Sequence, residues 1–187
     1  MLDYVEKEYE CIDGREIMMS PANTKHLRIQ GNFYCILRNY LNRKRCEVFS
    51  EHRVVLEEKA WLQPDLLVVC DPSKIKRTCI EGAPDFIVEI LSLATQNRDL
   101  GIKKDLYEKY GVKEYWAIDP KKESVTVFLL KEGRYVLDHI YQNFTEEEWG
   151  DLTEEEKEEQ RLFLKLSLYD DLEISLKEIF ATPEYGM

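Results

Sequence analysis

The strongest constraint on how this chain folds is a charge in an apolar place: Glu89 stands inside the run Phe86-Ile87-Val88-Glu89-Ile90-Leu91. Taking an unpaired carboxylate out of water is costly, so a buried Glu89 requires a cation, hydrogen-bond donors or a bound metal ion. Two further runs have the same character, Asp65-Leu66-Leu67-Val68-Val69-Cys70 and Glu114-Tyr115-Trp116-Ala117-Ile118-Asp119. Each is short, β-branched or aromatic and bounded by Pro, Gly or Asp, which predicts buried strands rather than helices. Asp65 opens the first of them, directly after Pro64.

Between the second and third runs, the chain from Asn97 to Gly111 predicts one helix. Leu100, Lys103, Tyr107 and Tyr110 share its sheet-facing side, Gly111 closes it as an αL cap, and Asp99 lies near its positive N-terminal end. An acid at a strand mouth, a second acid within the neighbouring strand and a lysine aimed at both make a site suited to a hard divalent cation beside an ammonium group.

A length of 187 residues suits one domain spanning 1–187 with a real core. No apolar run approaches the roughly 18 residues of a membrane span, and Met1 to Glu10 lacks the basic-then-apolar order of an export signal, so a cytoplasmic protein is expected. Cys11, Cys35, Cys46, Cys70 and Cys79 are odd in number and show no CxxC spacing, which predicts free thiols in a reducing compartment. His26, His52 and His139 are far apart and form no HxxxH pair, against a histidine-based metal site. The net charge of -11 opposes phosphate binding by the chain as a whole. It is unevenly spread, however: Thr145 to Gln160 holds nine acids and one lysine, while Lys25 to Arg53 holds seven basic residues against two glutamates. A basic surface beside an acidic flap and two ordinary solvated faces both fit that pattern.

Tyr9 to Met19 predicts a hairpin about Asp13-Gly14. Ser20-Pro21-Ala22-Asn23 then offers caps and a first-turn proline to a helix reaching Asn42, with Leu27, Gly31, Tyr34, Leu37 and Leu41 at helical spacing. Cys46 to Leu56 alternates as one strand, and Asp71 to Pro84 is a loop that brings Lys74, Lys76 and Arg77 within reach of a substrate. Ser124 to Leu130 and Tyr135 to Tyr141 form a second hairpin about Glu132-Gly133. The acidic segment is partly helical with Thr145 or Thr153 as cap, and the tail from Phe163 to Phe180 docks on the core.

Carboxylates suit Mg²⁺ or Mn²⁺, and two acids with a strand carbonyl hold such an ion while phosphate and water complete its shell. Phosphodiester hydrolysis is the reaction these parts fit. The segments Pro64-Asp65, Gly82 to Ser92, Asp99 with Lys103 and Tyr107, and Gly111 to Pro120 together resemble the Uma-type restriction endonuclease family of the PD-(D/E)xK nuclease superfamily, over about residues 9 to 140. The resemblance implies an α/β (α+β) restriction-endonuclease-like core: a mixed central sheet flanked by helices, with N-terminal and C-terminal β-hairpins. It also implies a Mg-dependent endonuclease acting on DNA, double-stranded by preference, with metal ligands at Asp65, Glu89 and the Ile90 carbonyl and catalytic roles for Asp65, Glu89 and Lys103. A homodimer follows by analogy with double-strand cutting, and no organic cofactor or membrane partner is implied.

One departure is plain: the superfamily's Glu-x-Lys would place lysine where this chain has Leu91, and the Uma-type lysine lies on the following helix. Lys103 and Lys104 both fall there, and Lys103 shares the apolar face. Asp99 reads as a helix cap, Tyr107 as a residue that packs or orients Lys103, and His26 and Gln30 as further polar candidates on the first long helix. Two competing readings fit the same residues, a metal-free Glu89–Lys103 bridge and a nuclease-like scaffold that binds nucleic acid or regulates without turnover. Glycosidase-type chemistry by a carboxylate pair leaves Lys103 without a task.

Overall fold

The computed structural model describes residues 8–183. Residues 1–7, on which the expectation about export partly rests, and 184–187 lie outside them. Among the described residues no helix is long and apolar enough to cross a membrane.

The expected hairpin forms from β1 (Tyr9–Ile12) and β2 (Arg15–Met18), with Asp13 and Gly14 both at positive φ as a tight turn demands. Helix α1 (Thr24–Leu41) follows, capped by the Asn23 side chain, which accepts from the His26 amide. Two details differ from the sequence reading. Pro21 precedes the helix instead of lying in its first turn, and Leu27 is 51% exposed. The buried stripe is His26, Ile29, Gln30, Phe33, Leu37 and Leu41, so two polar residues occupy positions that face the sheet.

The single strand expected over Cys46 to Leu56 is two strands in different sheets, β3 (Glu47–Ser50) and β4 (Val54–Glu57). Glu51 takes φ 49°, a left-handed value that an extended strand cannot carry, and the chain leaves the sheet there. After β5 (Ala60–Leu62) come β6 (Leu66–Val69), a 3₁₀ turn at Pro72–Lys74, β7 (Ile80–Glu81) and β8 (Phe86–Ile90). The helical crossover leads to β9 (Glu114–Asp119), then the expected hairpin β10 (Ser124–Lys131) and β11 (Arg134–Gln142). The main sheet runs β11-β10-β9-β8-β6-β3, with β8 and β9 parallel and the other pairs antiparallel. A parallel pair cannot be joined by a tight turn, which is why the helical segment must lie between those two strands. A second sheet, β2-β1-β5-β4-β7, lies against the main one.

Strand alternation divides the core. Leu66, Val68, Phe86, Val88 and Trp116 meet α1, where Phe33 stacks on Trp116 at 5.5 Å. Leu67, Ile87 and Tyr115 point the other way, toward the second sheet and the crossover helix. Glu89 shares the parity of Ile87, so it is sent to this second side.

The acidic segment forms two short helices, Glu146–Asp151 and Glu154–Glu158, each started by a capping box, at Thr145/Glu148 and Thr153/Glu156. The tail supplies β12 (Phe163–Lys165), β13 (Glu173–Ser175) and a helical turn at Leu176–Ile179. Glu114 fastens it, accepting from the Trp116 indole at 2.7 Å and the Ser167 amide at 2.8 Å. The expectation of free thiols fails for two cysteines: Cys46 and Cys70 form a disulfide. They follow the Glu47–Val69 pair in the antiparallel register, a proximity that their separation of 24 residues does not announce. Cys11, Cys35 and Cys79 are free.

Leu164, Ile174 and Ile179 are fully buried against α1 and the sheet. Ile179→Ala should therefore lower the unfolding free energy by about 2–5 kcal/mol in urea titration, the cost of an aliphatic truncation in a packed core. An effect below about 0.5 kcal/mol, the size of a surface substitution, would show that the tail is an appendage.

Candidate active site

Asp65 stands where β6 begins, and its carboxylate is gripped from two directions. Oδ2 accepts the Ile90 amide at 2.6 Å, taking a donor at the end of β8, and Oδ1 lies 2.9 Å from His26 Nε2. Gln30, one helical turn after His26, donates to the Asp65 carbonyl at 3.1 Å, to Ser50 Oγ at 2.9 Å and to Glu51 at 3.2 Å. The polar positions in the buried stripe of α1 thus hold one acid in place. Burial alone would lower the His26 pKa, but the hydrogen bond and charge of Asp65, with Glu51 and Asp99 beyond it, raise it on balance.

The helix expected from Asn97 to Gly111 is interrupted. A turn at Gln96–Arg98 passes into a π turn at Asp99–Lys103, with non-helical backbone at Gly101, before α2 (Lys104–Tyr110) and the αL cap at Gly111, φ 83°. The wider turn shifts which side chains face inward. Leu100, expected on the sheet side, is 41% exposed, while Asp99 and Lys103 are buried. Asp99 caps the C-terminal end of the Gln96–Arg98 turn instead of starting the helix, and it faces Lys103 at 3.6 Å. The two lysines of this segment differ in their surroundings. Lys103 is buried at the acids, whereas Lys104 is partly exposed and lies near Asp105 and the Phe128 ring.

Lys103 Nζ lies 2.7 Å from Glu89 Oε1 and 2.9 Å from Glu10 Oε1. Tyr107 donates to the same Glu89 oxygen at 2.7 Å. Glu10 belongs to β1, in the other sheet, and also accepts the Gln63 amide at 3.0 Å. Sequence reasoning missed it, although the signal matches that of Glu89: an acid within the short apolar strand Tyr9-Glu10-Cys11-Ile12. Burial, offset in part by Lys103 and reinforced by Asp99, Asp65 and Glu10, holds the Glu89 carboxyl well above the ordinary range. Burial would lower the Lys103 pKa, yet Glu89, Glu10 and Asp99 outweigh it and keep the ammonium charged.

These groups open into one cleft of about 590 Å³. Asp65, Glu89, Asp99, Lys103 and His26 line it, and Ile90, whose side chain is buried in the core, reaches it with its main chain. Gln30 and Tyr107 stand behind, bonded to the lining residues. Lys74, Lys76, Arg77 and the acidic helices do not line it. Among the described residues no three His, Cys, Asp or Glu side chains are already gathered at ligating spacing. The donors are nevertheless oxygen-rich and in excess over cations, and Asp65, Glu89 and the main chain at Ile90 match a hard ion that keeps several waters.

A solved structure from Anabaena variabilis ATCC 29413, described as a putative nuclease belonging to DUF820, matches 96% of this chain and 93% of its own with a TM-score of 0.71 at 22% identity. That likeness shows that the two chains share a fold. The chain belongs to the Uma2 family, "Putative restriction endonuclease", whose model matches residues 2–162. It is also 29% identical over 103 residues to the uncharacterized protein slr1290 of Synechocystis sp. (strain ATCC 27184 / PCC 6803 / Kazusa), and the chain spans about half the length of that relative, 54%. The implied restriction-endonuclease-like architecture, with its mixed sheet, flanking helices and hairpins, is the one observed.

The network sets opposite expectations for two substitutions. A carboxyl whose folded pKa is raised binds more protons folded than unfolded, so stability falls as pH rises above the ordinary glutamate value of 4.5. Glu89→Gln should thus melt higher than the wild type at neutral pH, the gap closing toward pH 4.5. Lys103→Met should lose about 3–5 kcal/mol, because its buried carboxylates are left uncompensated. Thermal melts across pH test both, and a Glu89→Gln protein that melts lower at neutral pH would refute the assigned charge balance.

Proposed function

We propose that this protein is a metal-dependent endonuclease that hydrolyses phosphodiester bonds in DNA, with Mg²⁺ or Mn²⁺ as cofactor. The observation that carries this reading is the convergence of Asp65, Glu89 and Lys103 in one cleft. Asp65, Glu89 and the Ile90 carbonyl would hold the ion, which when bound supplies a water of lowered pKa and neutralises charge on the phosphate. Lys103, restrained by its carboxylates, keeps a fixed positive charge beside the reacting group, and a donor so placed contributes about 3 kcal/mol to lowering the barrier. His26 and Gln30 orient Asp65. Tyr107 and Lys103 engage Glu89 Oε1, leaving Oε2 for the cation.

Isothermal titration of Mn²⁺, with plasmid nicking on the same samples, tests the proposal. Asp65→Ala and Glu89→Ala should abolish both while keeping a native circular dichroism spectrum; a wild type that neither binds Mn²⁺ nor nicks would sink it. Because Glu89 must release a proton to ligate and its carboxyl is held well above 4.5, Mn²⁺ affinity should rise as pH climbs above that value, with proton release on binding. The competing reading, a nuclease-like scaffold that binds nucleic acid without turnover, draws on the closed Glu10–Lys103–Glu89 network. Metal-independent DNA binding unchanged by Asp65→Ala would favour it.

A further inference from the structure

The cleft poses an electrostatic problem to any phosphodiester that enters it. Glu8, Glu10, Glu51, Asp65, Glu89 and Asp99 all line it, against His26, Arg98 and Lys103 as cationic or potentially cationic groups. Two of those three are engaged: His26 with Asp65, and Lys103 with Glu89, Glu10 and Asp99. The acids are engaged as well, Glu51 by Gln30 and Glu8 by Gln63. Arg98 alone stands apart. Among the described residues its guanidinium forms no ion pair within 4.0 Å, although six carboxylates share the cleft with it.

A half-buried arginine left unpaired amid so many acids is positioned for a ligand rather than for the fold. Its place in the chain supports this. Arg98 ends the Gln96–Arg98 turn and directly precedes the π turn that sends Asp99 and Lys103 inward, so one local backbone feature sets the lysine and the guanidinium on the same cleft. A guanidinium presents a planar fork of donors that matches two oxygens of a phosphate.

We infer that Arg98 is a phosphate-binding residue, gripping the backbone of the nucleic-acid strand that the cleft accepts. This rests on the nuclease reading above. The contact fixes the strand's position and carries no sequence preference, since every nucleotide offers the same phosphate. It also accounts for how so acidic a cleft admits a polyanion: each phosphate that reaches the metal-binding acids must first be met by a cation that those acids have not already taken.

The test measures binding separately from cleavage. A fluorescently labelled DNA duplex is titrated with the full chain in Ca²⁺ buffer, at several salt concentrations, for wild type, Arg98→Gln and Arg98→Lys. Arg98→Gln should bind about tenfold more weakly on any sequence, and its slope of log affinity against log salt should be shallower by about 0.9, the loss of one phosphate contact. Arg98→Lys should recover the slope, and all three should melt alike because Arg98 has no partner to lose. If Arg98→Gln matches the wild type in affinity and slope, or if Arg98→Lys shows the same shallow slope as Arg98→Gln, the inference is overturned while the nuclease reading stands. If the wild type binds no duplex, the nuclease reading falls and takes this inference with it.

Discussion

The Lys103 ammonium, buried among Glu89, Glu10 and Asp99, is the interaction on which the arrangement of this molecule depends. Its carboxylates come from three places: β8 of the main sheet, β1 of the second sheet and the π turn of the crossover. One cation therefore ties both sheets and the crossover segment to a common point. Buried ion pairs are poor stabilisers, since the loss of hydration cancels much of the attraction, and an apolar trio would hold these elements together at least as well. The cluster gathers three carboxylates around one ammonium.

The position of the lysine explains the local irregularity around it. In a Glu-x-Lys arrangement the strand itself carries the ammonium, but here that position is Leu91, which packs against the second core. The lysine must come instead from the crossover, and a regular helix with Leu100 on its inner face would bury the wrong residues. The π turn exchanges Leu100 for Asp99 and keeps Lys103 inward. Irregular helical geometry of this kind is often found at functional sites, where side-chain direction counts for more than backbone regularity.

Charge is sorted by region. The acids of the Thr145–Gln160 segment are solvent-exposed on their two short helices and do not line the cleft, so they supply most of the chain's net negative charge without competing for a cation there. Within the cleft, nearly every acid is held by a neutral donor, His26 or Lys103. The field of the more distant exposed acids is screened by salt, so the nearest few groups set the electrostatics of the cleft.

Much of this was legible in the chain alone. Glu89 in an apolar strand, Asp65 at a strand mouth and Lys103 on the next helix share a signature: a charge amid apolar residues must have a partner. The hairpins and the capping threonines follow from short-range turn chemistry, while the mixed sheet was implied by the family resemblance. Other features depended on packing across long separations. Glu10 enters the site from a strand 93 residues before Lys103, Cys46 meets Cys70 through strand register, and Cys46 to Leu56 divides because Glu51 turns out of the sheet. Local pattern determined which residues needed partners; only the tertiary structure decided who those partners were, since a hydrogen bond or ion pair is set by distance in space and not by spacing along the chain.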